Sequence, residues 1–188
     1  MSTATMQAVV EAATDATGAA CGWLLALEGD HLVVEAAYGT ANDAALIGRH
    51  VPIAGTRGYV VTSNQPAALR PNPADQADLG AGGYDGVPSS IVAVPCTGDL
   101  ASGVLEIAAP LSDTGFGIDD VEIVGLLASI AAAALDDARA AGAKAAASAT
   151  PPPAAMGLLF ERLSASDPAL YRDLAAMVSS LIAHLPPR

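Results

Sequence analysis

Residues 89–110 and 116–139 read SSIVAVPCTGDLASGVLEIAAP and FGIDDVEIVGLLASIAAAALDDAR. Two β-rich runs, Ile91–Pro95 and Gly103–Ala108, flank the polar turn Thr97-Gly98-Asp99, which is hairpin composition. The second block opens with Gly117 as a candidate N-cap and sets Asp119, Asp120 and Glu122 in the first turn, where the helix dipole favours anions. Val121, Val124, Leu127, Ala128, Ile130, Ala131 and Leu135 then recur at helical spacing as a broad apolar stripe. Strand, turn, strand, loop and a long acidic-capped helix follow one another.

Working outward from this stretch, Met6, Val9, Val10, Ala13 and Thr17 share one helical face, with Gly18 as the stop. Residues 22–39 are two apolar runs joined through Glu28-Gly29-Asp30, a second hairpin signal. Residues 39–48 suit a short helix or loop capped by Asn42 or Asp43. Val51-Pro52-Ile53 reads as a short edge strand, because proline cannot donate to a ladder. Gly55 to Ser63 reads as a short helix closed by Asn64-Gln65-Pro66. Residues 71–88 are a long Gly-, Pro- and Asp-rich loop, a type that is usually functional or disordered.

Three parts are expected: a domain over residues 3–140, an Ala/Pro-rich linker over 141–154, and a helical tail over 155–186. The linker, AGAKAAASATPPPA, is expected to be disordered or partly helical and to be stiffened by its prolines. In the tail, Met156–Leu163 is one short amphipathic helix, and Asp167-Pro168 is an N-cap and N1 pair opening another. The stripe Leu170, Leu174, Met177, Leu181 and Leu185 must pack on the first domain, on its own copy or on a partner.

Composition removes several function classes. The net charge is −12. Residues 1–140 carry four arginines against 17 acids, or −13, and residues 141–188 carry +1. Phosphate neutralisation needs clustered Lys and Arg, so no nucleic-acid partner is expected. The chain is 52% hydrophobic but only 4% aromatic, so alanine and β-branched residues must fill much of the core. No run has the length and apolarity of a spanning helix, and the first residues lack a basic and apolar signal pattern. No membrane partner and a cytoplasmic location are the resulting expectations. The two cysteines, Cys21 and Cys96, have no C-x-x-C spacing and read as buried free thiols rather than a metal or redox pair.

The order helix, hairpin, variable segment, hairpin, long helix resembles the GAF domain family. Ser90-Ile91-Val92-Ala93-Val94-Pro95 is similar to its S-x-L-x-V-P strand, and Gly103-Val104-Leu105-Glu106-Ile107 to its G-V-L-x-L strand. Phe116, Asp119, Asp120 and Leu126-Leu127-Ala128 resemble its F-x-x-x-D-x-x-L-L-x-x-L-A segment, and GTRGYVVT at 55–62 with Pro66 resembles G-x-x-G-x-V-x-x-T-x-x-P. The resemblance implies an α+β fold, GAF-like and PAS-related: a central antiparallel sheet with flanking N- and C-terminal helices, here followed by the helical tail.

The departures from the family pattern bear on ligand and chemistry. Ala109-Pro110 and Val121 stand where cyclic-nucleotide-binding members carry Asn-Lys and Glu, which argues against that ligand. Neither cysteine has a neighbouring His for bilin attachment. His50 is a better candidate than His31 for a haem ligand, and both read first as ordinary residues. Methionine sulfoxide reductases of the family place cysteines in the loop before the S-x-L-x-V-P strand; here that loop has none.

The resemblance implies a non-catalytic sensory or regulatory domain whose small-molecule cavity lies near residues 38–90. Trp23, Tyr38, Tyr59, Tyr84, Asp85, Ser90 and Cys96 are the candidate ligand-binding residues, with no catalytic or metal-binding residue and no particular cofactor implied. Arg57 reads as a solvated arginine, with an anionic ligand as the alternative partner. A homodimer through the N-terminal helix and the 118–138 helix is expected, and a protein partner is conceivable for residues 155–186. The alternatives are an adaptor with no ligand whose tail docks on a partner, and a thiol reductase using Cys96.

Overall fold

The computed structural model describes residues 2–40, 43–69, 88, 90–110, 115–148 and 153–183. Six strands form one antiparallel sheet: β1 (Ala19–Glu28), β2 (His31–Tyr38), β3 (His50–Pro52), β4 (Ala67–Leu69), β5 (Ile91–Thr97) and β6 (Ser102–Pro110). Their spatial order is β3-β2-β1-β6-β5-β4. Six helices are described: α1 (Ser2–Thr17), α2 (Asp43–Leu46), α3 (Gly55–Ser63), α4 (Ile118–Ser148), α5 (Pro153–Ser166) and α6 (Pro168–Ala183). The edge strand, the α3 helix and both hairpins lie where the residue pattern puts them. Asn64 ends α3 in the left-handed region (φ 53°), donating its N–H to Val60 O. The loop expected over 71–88 lies almost wholly outside the described residues.

Alternation along the strands gives the sheet two apolar faces. On one, Leu24, Ala26, Val92, Val94, Cys96, Leu105 and Ile107 pack against Met6, Val9, Val10 and Ala13 of α1 and Val124, Ala128, Ala131 and Leu135 of α4. On the other, Trp23, Leu25, Val34, Ile91, Ala93 and Val104 pack with Leu46, Val51 and Val60. The first face is unusually rich in alanine, so its helices lie close to the strands. At Gly22 a Cβ would stand 2.8 Å from Thr14 Oγ1, so only glycine lets α1 approach there.

The apolar stripes of α1 and α4 are therefore taken up by the protein's own sheet. The large apolar side chains that remain exposed on α4 are Ile118, Leu126 and Ile130. Contacts divide the chain into two units, residues 1–143 and 144–188. Helix α4 does not stop where the linker was expected to begin but continues to Ser148, because AAGAKAAA is dominated by the residue with the highest intrinsic helix propensity.

Both ends of the sheet-packed part of α4 are tied by carboxylates. Asp120 accepts a 2.7 Å bond from Gly117 N–H, half of a capping box. Asp136 reaches the β5–β6 turn and accepts from the N–H groups of Asp99 (2.7 Å), Leu100 (2.9 Å) and Ala101 (2.7 Å). Gly98 is required beside it, since a Cβ would lie 2.4 Å from the carboxylate. Backbone donors from Leu100 and Asp99 hold the Asp136 carboxyl below the ordinary aspartate range.

A depressed folded-state pKa stabilises above the unfolded pKa of about 3.9, and that stabilisation disappears as pH falls through the folded value. Asp136→Ala is accordingly expected to lower the melting temperature at neutral pH, with the gap to wild type closing as the buffer is taken below about pH 3.5. Thermal melts followed across pH check this; a gap that stays constant to the lowest pH would refute the clamp.

Candidate functional site

Glu106 sits in the middle of β6, and β6 is flanked by β1 and β5. It lies directly across from Trp23 on β1 and Ala93 on β5, so the three side chains form one row on the second face. Helix α3 crosses that face with Thr56, Arg57 and Val60 turned inward. Arg57 Nη2 donates to Glu106 Oε1 at 2.7 Å, and both side chains are 0% exposed. Glu106 Oε2, equally buried, has no hydrogen-bond partner among the described residues.

Removing both charges from water costs several kcal/mol per ion, and only a close partner makes that bearable. Buried polar groups are overwhelmingly paired, so an orphaned carboxylate oxygen calls for an explanation. Cys21 lies on the same face, two residues before Trp23 and opposite Ala108. Burial and then the negative charge of Glu106 push its thiol up to about 12. Cys21 is therefore a neutral thiol beside a charged pair.

The residues singled out from sequence do not converge. Trp23 is wholly buried in the row with Glu106. Tyr38 faces the α1 side, paired in register with Gly22, and its phenol is raised mainly by Asp15 and then Glu11. Cys96 is also on the α1/α4 side, where burial pushes its thiol up to about 12. Tyr59 is exposed on α3, and Ser90 is buried beside Gly115. Tyr84 and Asp85 lie outside the described residues. Two open clefts of about 230 and 340 Å³ share Asn64, Pro95 and Thr97, around the lower end of the roughly 300–1,000 Å³ of ordinary ligand sites.

Arg57 and Glu106 were the residues to find. An acid between Leu105 and Ile107, in a strand expected to be central, has to meet a cation. Arg57 is one of only four basic residues in the first 140. His31 and His50 do come together, stacked at 4.3 Å between centroids across the β2–β3 edge. No group of three or more potential metal ligands occurs among the described residues, and none of their helices is long and apolar enough to cross a membrane.

The family model for the GAF domain matches residues 2–136. The chain belongs to the GAF family. Among solved structures, the GAF-B domain of DevS from Mycobacterium smegmatis has a TM-score of 0.56 at 19% identity, covering 77% of this chain and 99% of that one. The GAF domain of an Acinetobacter phosphoenolpyruvate-protein phosphotransferase has a TM-score of 0.60 at 16% identity over 74% and 84% of the two chains. A free methionine-R-sulfoxide reductase from Neisseria meningitidis, solved in complex with its substrate, has a TM-score of 0.56 at 20% identity, covering 75% of this chain and 81% of that one. No curated protein sequence matches the chain.

Breaking the pair on one side is expected to be severe. Glu106→Ala removes the carboxylate that offsets the buried guanidinium charge and should cost about 3–5 kcal/mol, whereas the double change Arg57→Met with Glu106→Leu should recover most of that. Urea titrations of the three proteins measure both. The thiols give an independent check: neither Cys21 nor Cys96 should react with a thiol reagent in the native protein at pH 8, and both should react in denaturant.

Proposed function

We propose that this GAF domain is a non-catalytic sensor that holds a small polar molecule on the second face of its sheet, against Arg57 and Glu106. The buried pair, with Glu106 Oε2 unpartnered among the described residues, carries the reading. A ligand with a hydrogen-bond donor for that oxygen would complete its set. Trp23 supplies aromatic surface in the same row. Such a mostly apolar site with a few fixed polar groups is the usual form of small-molecule recognition.

Two features favour sensing over thiol chemistry. A reductase needs a thiolate and a resolving thiol near each other. Here both thiols have raised pKa values of about 12, and Cys21 and Cys96 belong to opposite faces of the sheet. Output would pass through association. The Asp136 clamp joins the β5–β6 turn to α4, so a change at β6 reaches the helix whose exposed Ile118, Leu126 and Ile130 are available to a second copy. A cytoplasmic setting, where thiols stay reduced, agrees with two free cysteines.

A thermal-shift panel of free amino acids, dicarboxylates, polyamines and nucleotides tests the site. A ligand at 100 times its dissociation constant adds about 2.7 kcal/mol, a shift of several degrees. The Arg57→Met/Glu106→Leu protein should fold and lose the shift. If no class stabilises the wild type, and native mass spectrometry of protein isolated from its own cells gives only the bare chain mass, the sensor reading fails. The ligand-free adaptor, with the pair purely structural, would then take its place.

A further inference from the structure

Between Met156 and Met177 none of the described side chains of α5 and α6 is buried. The two helices are separated only by Asp167, whose carboxylate caps α6 by accepting from Ala169 N–H (3.1 Å) and Leu170 N–H (3.0 Å). Phe160 and Tyr171 meet edge-on, with centroids 6.1 Å apart. These rings mark the inner side, where the helices turn toward each other.

That contact fixes what the other residues do. A helix advances about 100° per residue, and α5 runs into the corner from which α6 runs out. Residues one step before the rings, Leu159 and Leu170, therefore point to one side of the pair, and residues one step after, Glu161 and Arg172, to the other. Met156, Leu163, Leu174 and Met177 fall with Leu159 and Leu170. Met156, Leu159, Leu170 and Met177 are 40%, 57%, 47% and 55% exposed. The pair is a two-helix layer with one apolar face; the opposite side carries Glu161 and Arg172, with Leu158, 63% exposed, at its outer edge.

We propose that this face binds the same face of a second copy, making a four-helix layer from two tails. It carries no charged side chain: Glu161 and Arg172 point to the opposite side, and Arg162 and Asp173 to the outer edges. An uncharged apolar face is complementary to itself under a two-fold axis. The charges around it alternate in sign, and residues 141–188 sum to +1 while residues 1–140 sum to −13. At +1 each, two tails repel only weakly, whereas a charged partner surface finds nothing to pair with on the face. Six large apolar side chains from each copy would bury on the order of 1,000 Å² in total, the lower end for a specific interface.

Light scattering on the full chain tests the proposal. The expected mass is twice the 18.6 kDa chain. Leu159→Glu with Leu170→Glu should weaken association at least tenfold and halve the mass, with residues 1–143 still folded by near-ultraviolet circular dichroism. Leu126→Glu with Ile130→Glu should leave the tail-mediated dimer intact. The proposal is overturned if the wild type is monomeric, or if the α4 variant dissociates while the tail variant does not. Hydrogen exchange then tells the alternatives apart: a monomer with protected tail amides has covered the face with its own chain, and one with unprotected amides leaves it for a different protein.

Discussion

A guanidinium and a carboxylate at the centre of an otherwise apolar sheet face constrain this fold more than any other contact. Neither Arg57 nor Glu106 tolerates burial without the other. Helix α3 must therefore lie where its third residue reaches the middle of β6, and Glu106 must face α3 rather than α1. A one-residue slip of β6 would move Glu106 among Val10, Ala128 and Ala131 and put Leu105 beneath Arg57. The ion pair acts as a register pin, and the apolar alternation of β1 and β5 agrees with it.

The two faces of the sheet are built for different work. The α1/α4 face is dry, aliphatic and small, and its one cysteine is a space-filling thiol. The α3 face mixes an aromatic, a thiol and the ion pair. The long helix belongs to the first face yet is joined by Asp136 to the turn that links β5 and β6, the strand that carries the pair. A disturbance at Glu106 and the position of α4 are thus connected by a single hairpin. Three backbone N–H groups donate to the one Asp136 carboxylate at that turn, so the hairpin and the helix are held as a unit.

Elements with strong periodicity or turn chemistry were legible from residues alone. Gly29, Asn64, Gly117 and the Asp167-Pro168 pair mark turns and caps where the structure has them. The end of α4 is not legible, because alanine runs suit a helix and a linker alike; the helix takes the first half of the expected linker, as far as Ser148. For the site, residue type alone does not say which face a side chain serves. Tyrosines and serines near a family cavity look like ligand contacts, but parity along a strand decides which face each one serves, and Tyr38 and Cys96 sit on the other side from Trp23. Arginine is usually solvated, so Arg57 looked ordinary; the informative residue was Glu106, whose apolar neighbours demanded a buried cation.

The alanine-rich packing between the helices and the sheet has a bearing on how this protein tolerates change. Ala13, Ala128, Ala131, Ala132 and Ala134 are all buried, and a methyl group offers almost nothing to remove. Truncation therefore does little at these alanines and opens cavities only at their larger neighbours, such as Met6, Leu24, Leu105 and Ile107. Enlargement is the hazard: each added methylene meets a helix already seated against the strands and must displace it. Only residues about the size of alanine fit at these positions without moving a helix, while the opposite face, with its larger side chains, can exchange one apolar shape for another of similar volume.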